Sequence, residues 1–240
     1  MHNYRLLSVF SKIVIYFIAL DIFSASAVVN IDRTRIIFDG KKNTEIINLV
    51  NDGHNPAVVQ VWTDDGDISV TPDQSKTPII SLPPVMKLLP GELRSLRLLL
   101  TTRSKIAGSK ESLYWLNIYQ IPALRKESVE NGQHVILPLR IRLKVFVRPE
   151  GLAKPDYSSP EILHFSGVGK KISITNPTNW YVSINRVKIK GGEIKSKTVP
   201  PKSKIEISFP GVVSAGDEVC YDLINDDGNV VSFKSRVDVY

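Results

Sequence analysis

Tight-turn dipeptides punctuate this chain: Asp39-Gly40, Asp52-Gly53, Asp65-Gly66, Pro90-Gly91, Asn131-Gly132, Gly191-Gly192, Pro210-Gly211 and Asp227-Gly228. Glycine supplies the positive φ, and proline the fixed φ, that such turns need. Between them lie short runs rich in Val, Ile, Leu, Thr, Tyr and Phe, among them Arg35-Ile36-Ile37-Phe38, Ala57-Val58-Val59-Gln60-Val61-Trp62, Leu96-Arg97-Leu98-Leu99-Leu100 and Lys171-Ile172-Ser173-Ile174. Runs of this kind read as strands, many apolar on one face only. No long segment keeps an apolar period of 3.6 residues, so the fold class predicted is all-β.

The segment Arg148-Pro149-Glu150-Gly151-Leu152-Ala153-Lys154-Pro155 ends the longest strand-like stretch with two prolines and a glycine. It divides residues 28–148 from residues 156–240, with 149–155 as linker, and each part has the size of a seven-stranded immunoglobulin-like sandwich. Two such β-sandwiches in tandem are the expected architecture. Residues 1–27 stand apart. Arg5 and Lys12 precede the apolar stretch from Ile13 to Leu20, and Ala25-Ser26-Ala27 has the small-x-small pattern of a signal-peptidase site, so a cleaved secretory signal is expected. The uncharged run is shorter than a bilayer-spanning helix needs and Asp21 ends it; no later segment is long and apolar enough, so membrane insertion is not expected.

With 42% hydrophobic and 23% charged residues the chain can bury a core and falls outside the disordered class. Its net charge of +7 raises nucleic acid as a partner, but the cations are scattered along strand-like runs without a dense tract, and export argues against it. Cys220 stands alone, which excludes an intramolecular disulfide and a multi-cysteine metal site; in Val219-Cys220-Tyr221 it reads as a buried core thiol. His54, His134 and His164 are far apart and in no metal-ligand spacing, so no metal and no cofactor are expected. There is no GxSxG elbow. Gly167-Val168-Gly169-Lys170-Lys171 lacks the first glycine and the final hydroxyl of a phosphate loop and reads as a hairpin turn. Asp64, Asp65 and Asp67 flank Gly66, where acidic residues cap turns and face water. These readings point to a binding protein and not an enzyme.

One stretch is unusual. From His134 to Arg148 the chain runs HVILPLRIRLKVFVR, read as one long strand, with Val135, Leu137, Leu139, Ile141, Leu143, Val145 and Val147 in one apolar row and Arg140, Arg142, Lys144 and Arg148 on the other face. Pro138 cannot donate to a sheet ladder and belongs at an edge. A long apolar edge invites a partner strand, through backbone bonds for affinity and alternate side chains for pockets. The plainer reading is that the row covers the domain's own core.

Around these residues the chain resembles the periplasmic pilus (fimbrial) assembly chaperones, the PapD-like family, over essentially all of residues 28–240. The likeness rests on Asp32-Arg33-Thr34-Arg35 followed by Phe38-Asp39-Gly40, on Leu82-Pro83-Pro84 with Leu89-Pro90-Gly91, and on Glu111-Ser112-Leu113-Tyr114-Trp115-Leu116-Asn117 leading to Ile121-Pro122. It continues through Leu143-Lys144-Val145-Phe146-Val147-Arg148-Pro149, Asn176-Pro177-Thr178 and Ile224-Asn225-Asp226.

The resemblance implies two sandwiches in an L around a cleft, and a periplasmic chaperone that binds, folds and caps pilus subunits by donor-strand complementation and delivers them to an outer-membrane usher. It assigns Arg35 and Lys144 to the subunit's terminal carboxylate, Val135, Leu137, Leu139 and Ile141 to the lent strand, and Glu111, Arg148 and Asp226 to an interdomain salt bridge. Two fixed cations suit a carboxylate because charge-assisted bonds exceed neutral ones. The connection Ala123 to Gln133 and the lack of a cysteine pair fit the class with a short loop before the donor strand. A dimer of the free protein that caps its own edge is a further expectation. The rival is a secreted structural or adhesive sandwich protein, which would need no Arg35 and Lys144 pair beside an apolar edge; an exported enzyme would need a polar constellation that the chain does not display.

Overall fold

A computed structural model describes residues 29–104, 106, 108–122, 138–159 and 162–238. The expected signal segment, Asn131-Gly132, Val135 and Leu137 lie outside these residues.

Period-2 patterning builds the elements. In the strand Ala57–Asp64, Ala57, Val59 and Val61 are buried while Val58 is exposed. Among the described residues, nine strands form the N-terminal domain: β1 (Val29–Ile31), β2 (Arg35–Phe38), β3 (Thr44–Asn51), β4 (Ala57–Asp64), β5 (Ile79–Leu82), β6 (Val85–Leu88), β7 (Leu93–Leu100), β8 (Ser112–Pro122) and β9 (Leu139–Val147). They make a four-stranded sheet in the order β1-β3-β7-β5 and a five-stranded sheet in the order β2-β9-β8-β4-β6. Ile47, Leu49, Leu96 and Leu98 of the first sheet meet Val59, Leu116, Ile118 and Val145 of the second in one core. Each such buried aliphatic chain contributes about 1.5–3 kcal/mol relative to exposure.

The C-terminal domain has β10 (His164–Asn176), β11 (Val182–Ile189), β12 (Gly192–Val199), β13 (Ser203–Val213), β14 (Glu218–Ile224) and β15 (Val230–Asp238) in the order β12-β11-β14-β15-β10-β13. The end strands β12 and β13 lie against each other, so the sheet folds back over a second core that includes Phe165, Ile174, Val187, Tyr221 and Leu223. The molecule is thus all-β, with two sandwiches.

Four local readings differ from the fold. Gly167 to Lys171 is not a hairpin turn but part of β10, where the pairing with β13 shifts between Gly169 and Lys171 as a bulge. Pro210-Gly211 lies inside β13 opposite that bulge, and a proline is tolerated there because β13 ends the strand order. Cys220 is half-exposed with its thiol 3.6 Å from Glu218, because alternation turns Tyr221 and not Cys220 into the core. The stretch read as one long strand is, among the described residues, a strand only from Leu139, with Pro138 just before it.

Glycine pairs also act differently. Gly91 and Gly228 take the positive φ that their turns require. At Gly191-Gly192 the positive φ falls on Lys190 instead, and Gly192 is needed for packing, since a Cβ there would meet the Phe209 ring at 2.4 Å.

Candidate functional site

Ile36 and Phe38 of β2 turn into the N-terminal core, as do Leu143 and Val145 of β9, so alternation brings Arg35 and Lys144 out on the opposite face. The parallel pairing of β2 with β9 then sets Arg35 directly opposite Lys144. Two cations become neighbours although 109 positions in sequence separate them.

That face meets the C-terminal domain. Lys144 Nζ donates to Thr198 Oγ1 at 2.6 Å and to Ser183 Oγ at 3.1 Å, two hydroxyls that are register partners on β12 and β11. Arg35 Nη1 donates to the Ile224 carbonyl at 2.9 Å at the end of β14, and its guanidinium lies 5.9 Å from the centroid of the Phe146 ring. Arg35 is 9% exposed, and its Nε is buried with no hydrogen-bond partner. Among the described residues no carboxylate forms an ion pair with either side chain. Burial, and then the neighbouring Arg35 charge, hold Lys144 down to about 8; burial also lowers Arg35, against the opposing pull of Tyr157, Asp226 and Glu111. The pair is a partly desolvated positive site, whose charged forms an anion nearby would favour.

Beside it lies a charged cluster between the domains. Arg148, 2% exposed, donates from Nε to Glu111 Oε1 and from both Nη atoms to the two oxygens of Asp226, all at 2.8 Å. Glu111 Oε2 accepts the Tyr181 amide at 2.8 Å, and the Glu111 amide donates to the Asn179 carbonyl at 2.9 Å. Burial pulls the Arg148 pKa down, but the bonds and charges of Asp226 and Glu111 outweigh it and raise the pKa. Burial raises that of Glu111. Partial burial, and then the Asp226 charge, push Tyr157 up to about 12.

Among the described residues, 139–143 of β9 pair with β8 only, because β2 covers no more than Lys144 to Val147. On this open edge Leu139 is 43% exposed, while Ile141 rests partly on the N-terminal core.

Family models match both halves of the chain: the pili and flagellar-assembly chaperone PapD N-terminal domain over residues 28–153, and the pili assembly chaperone PapD C-terminal domain over residues 158–235. The chain belongs to the PapD family of pili-assembly chaperones. This is a family of assembly chaperones and not of enzymes. The chain is 34% identical to the chaperone protein MrkB of Klebsiella pneumoniae, over 90% of this chain and 95% of that one. It is 32% identical to the probable fimbrial chaperone LpfB of Escherichia coli O157:H7, over 88% and 91%. Among solved structures it is similar to the YadV chaperone of Escherichia coli, with a TM-score of 0.73 and 26% identity over 88% of this chain and all of that one.

Of the residues singled out in the sequence, the PapD-like fold brings Arg35 to Lys144 and gathers Glu111, Arg148 and Asp226. Leu139 and Ile141 stand on the open edge; Val135 and Leu137 lie outside the described residues. Asp64 differs from expectation. It does cap its turn, accepting the Gly66 amide at 2.8 Å, but its carboxylate is fully buried and does not face water. Sequence reasoning missed Ser183, Thr198, the Ile224 carbonyl and the Tyr181 amide. Nothing local marks them, since two are backbone groups and two are ordinary strand hydroxyls that matter only because another domain lies across from them.

Proposed function

We propose that this chain is a periplasmic chaperone that binds, folds and caps pilus subunits by lending them a strand, and passes them to an outer-membrane usher. One observation carries the reading. β2 runs parallel to β9 and begins at Arg35 opposite Lys144, leaving the edge of β9 open just before that point. A partner strand that extends β2's line would run parallel to β9, and its final carboxylate would arrive at the two cations. The proximity of these charges supports their assignment as the anchor, since charge-assisted bonds also set register.

The lent row is Val135, Leu137, Leu139 and, at its inner end, Ile141, whose side chains would fill the gap in an unfinished subunit fold. Glu111, Arg148 and Asp226 hold the two domains in the relation that keeps the cleft open. Nothing in this cycle needs nucleotide, because a competing subunit strand can displace the lent one.

The test is periplasmic co-purification of tagged wild type beside Arg35→Ala and Lys144→Ala, with bound proteins identified by mass spectrometry. Wild type is expected to retain small secreted β-rich subunits, and both variants to lose them while remaining folded. Equal retention by all three would overturn the anchor and favour a structural surface role.

A further inference from the structure

The face of β9 that carries Lys144 also carries Arg142 and Arg140, at successive alternate positions along the open edge. Both guanidiniums lie over indole rings, Arg140 at 4.8 Å from the Trp62 ring centre and Arg142 at 4.7 Å from that of Trp115. Nε of each donates to the same acceptor, Asn117 Oδ1, at 2.9 and 3.1 Å. Asn117 is buried, and its amide donates to Asp64 Oδ2 at 2.6 Å. Asp64 Oδ1 accepts from Arg142 Nη2 at 2.6 Å.

One carboxylate therefore serves two guanidiniums. Arg140 Nη2 stands 3.7 Å from Asp64 and is buried without a hydrogen-bond partner. Arg140 Nη1 also donates to the Ile68 carbonyl at 2.6 Å and Asp67 lies within the field of Arg142, so the donors are already fixed in place; counted with Lys144, the row still has more cations than carboxylates. An anion that reaches it meets side chains whose rotamer entropy is largely spent. The Lys144 and Arg35 pair continues the same face beyond it.

We infer that Arg140 and Arg142 read acidic side chains at alternate positions of the subunit's terminal strand, extending the carboxylate anchor along β9. This rests on the strand-lending reading above. A strand laid parallel on residues 139–143 places every second side chain on the arginine face, beside Arg142 and, two residues earlier, beside Arg140. Trp62 and Trp115 support the guanidiniums from behind, and Asn117 and Asp64 are positioning residues that hold them flat. Preferred subunits carry Glu or Asp at these outward positions, and lysine there is disfavoured by like charge in a partly desolvated setting.

The test uses the full chain and synthetic peptides with an alternating apolar row, a free terminal carboxylate, and Glu, Gln or Lys at the two outward positions, titrated calorimetrically at low and high salt. The Glu peptide is expected to bind roughly tenfold or more tighter than the Lys peptide, with Gln between, and the spread to shrink at high salt. In Arg140→Gln/Arg142→Gln the spread should collapse while the penalty for amidating the terminus persists. Equal binding of the three peptides to wild type, with amidation still weakening each, would overturn the arginine track and leave the anchor standing. Indifference to both changes would remove the strand-lending reading, and this inference with it. Because the peptide series is read on the wild-type protein, the outcome does not depend on the double variant folding.

Discussion

Lys144 is where burial and charge meet most directly. Its pKa lies at about 8 instead of 10.5 because its ammonium is partly desolvated, with Arg35 beside it. Between those two values the unfolded chain binds more protons than the folded one, so this residue's contribution to stability improves as pH rises from 8 towards 10.5; below 8 the charged form is buried at a cost. On the proposed anchor, binding of a subunit's terminal carboxylate runs the other way. A carboxylate at Nζ favours the charged form, so above about pH 8 binding takes up a proton and weakens as pH climbs. Affinity for a peptide with a free terminal carboxylate is therefore expected to fall above pH 8 for wild type and to stay flatter for Lys144→Arg, whose guanidinium does not titrate there. Calorimetry in a pH series, repeated in buffers of different ionisation enthalpy, would reveal both the trend and the proton. A wild-type profile as flat as that of the arginine variant would refute this account.

At the scale of the element, β9 has two differently paired parts along its length. Its last four residues are walled in by β2 and β8, whereas residues 139–143 have, among the described residues, a neighbour on one side only. Leu139→Asp should therefore change unfolding free energy by no more than about 0.5 kcal/mol, as exposed substitutions do, yet sharply reduce retention of subunits in co-purification. A matched loss of stability and binding would show instead that Leu139 serves the chaperone's own core. The β11–β12 turn offers a contrasting case, where one hydrogen atom matters. Gly192→Ala forces a methyl group into the Phe209 ring, itself in the C-terminal core, and overpacking of this kind costs about 1–3 kcal/mol, measurable in urea unfolding.

Across the whole molecule, Arg148 joins the domains from a buried position. Glu111 and Arg148 belong to the N-terminal side and Asp226 to the turn after β14, so the guanidinium is shared between a partner in its own domain and one in the other. Arg148→Ala strands Glu111 in a site from which its partner is gone, and is expected to cost about 3–5 kcal/mol in chemical unfolding. Asp226→Ala leaves the Arg148–Glu111 bond in place. Its expected effect is a looser relation between domains, read as a larger radius of gyration in small-angle scattering with little change in either domain's own unfolding; unchanged scattering would mean that Arg35 to Ile224 and Lys144 to Ser183 and Thr198 suffice to hold the angle.

These scales also separate what the chain's own pattern determined from what folding added. Turn dipeptides and period-2 alternation were enough for an all-β chain in two halves, and the alternation in β9 assigned Arg140, Arg142 and Lys144 to one face and Leu139 and Ile141 to the other, because side-chain direction in a strand is a local property. Alternation says nothing about which strand lies alongside. It could not show that a bulge would absorb Pro210-Gly211, that Asp64 would be enclosed under two arginines, or that Cys220 would face outward. The pairing of Arg35 with Lys144, the hydroxyls that receive Lys144, and the hydrogen bond from Arg35 to a carbonyl 189 residues away exist only once sheets and domains are assembled. Charge placement was local and legible; desolvation, which turns those charges into a site, is a property of the packed molecule alone.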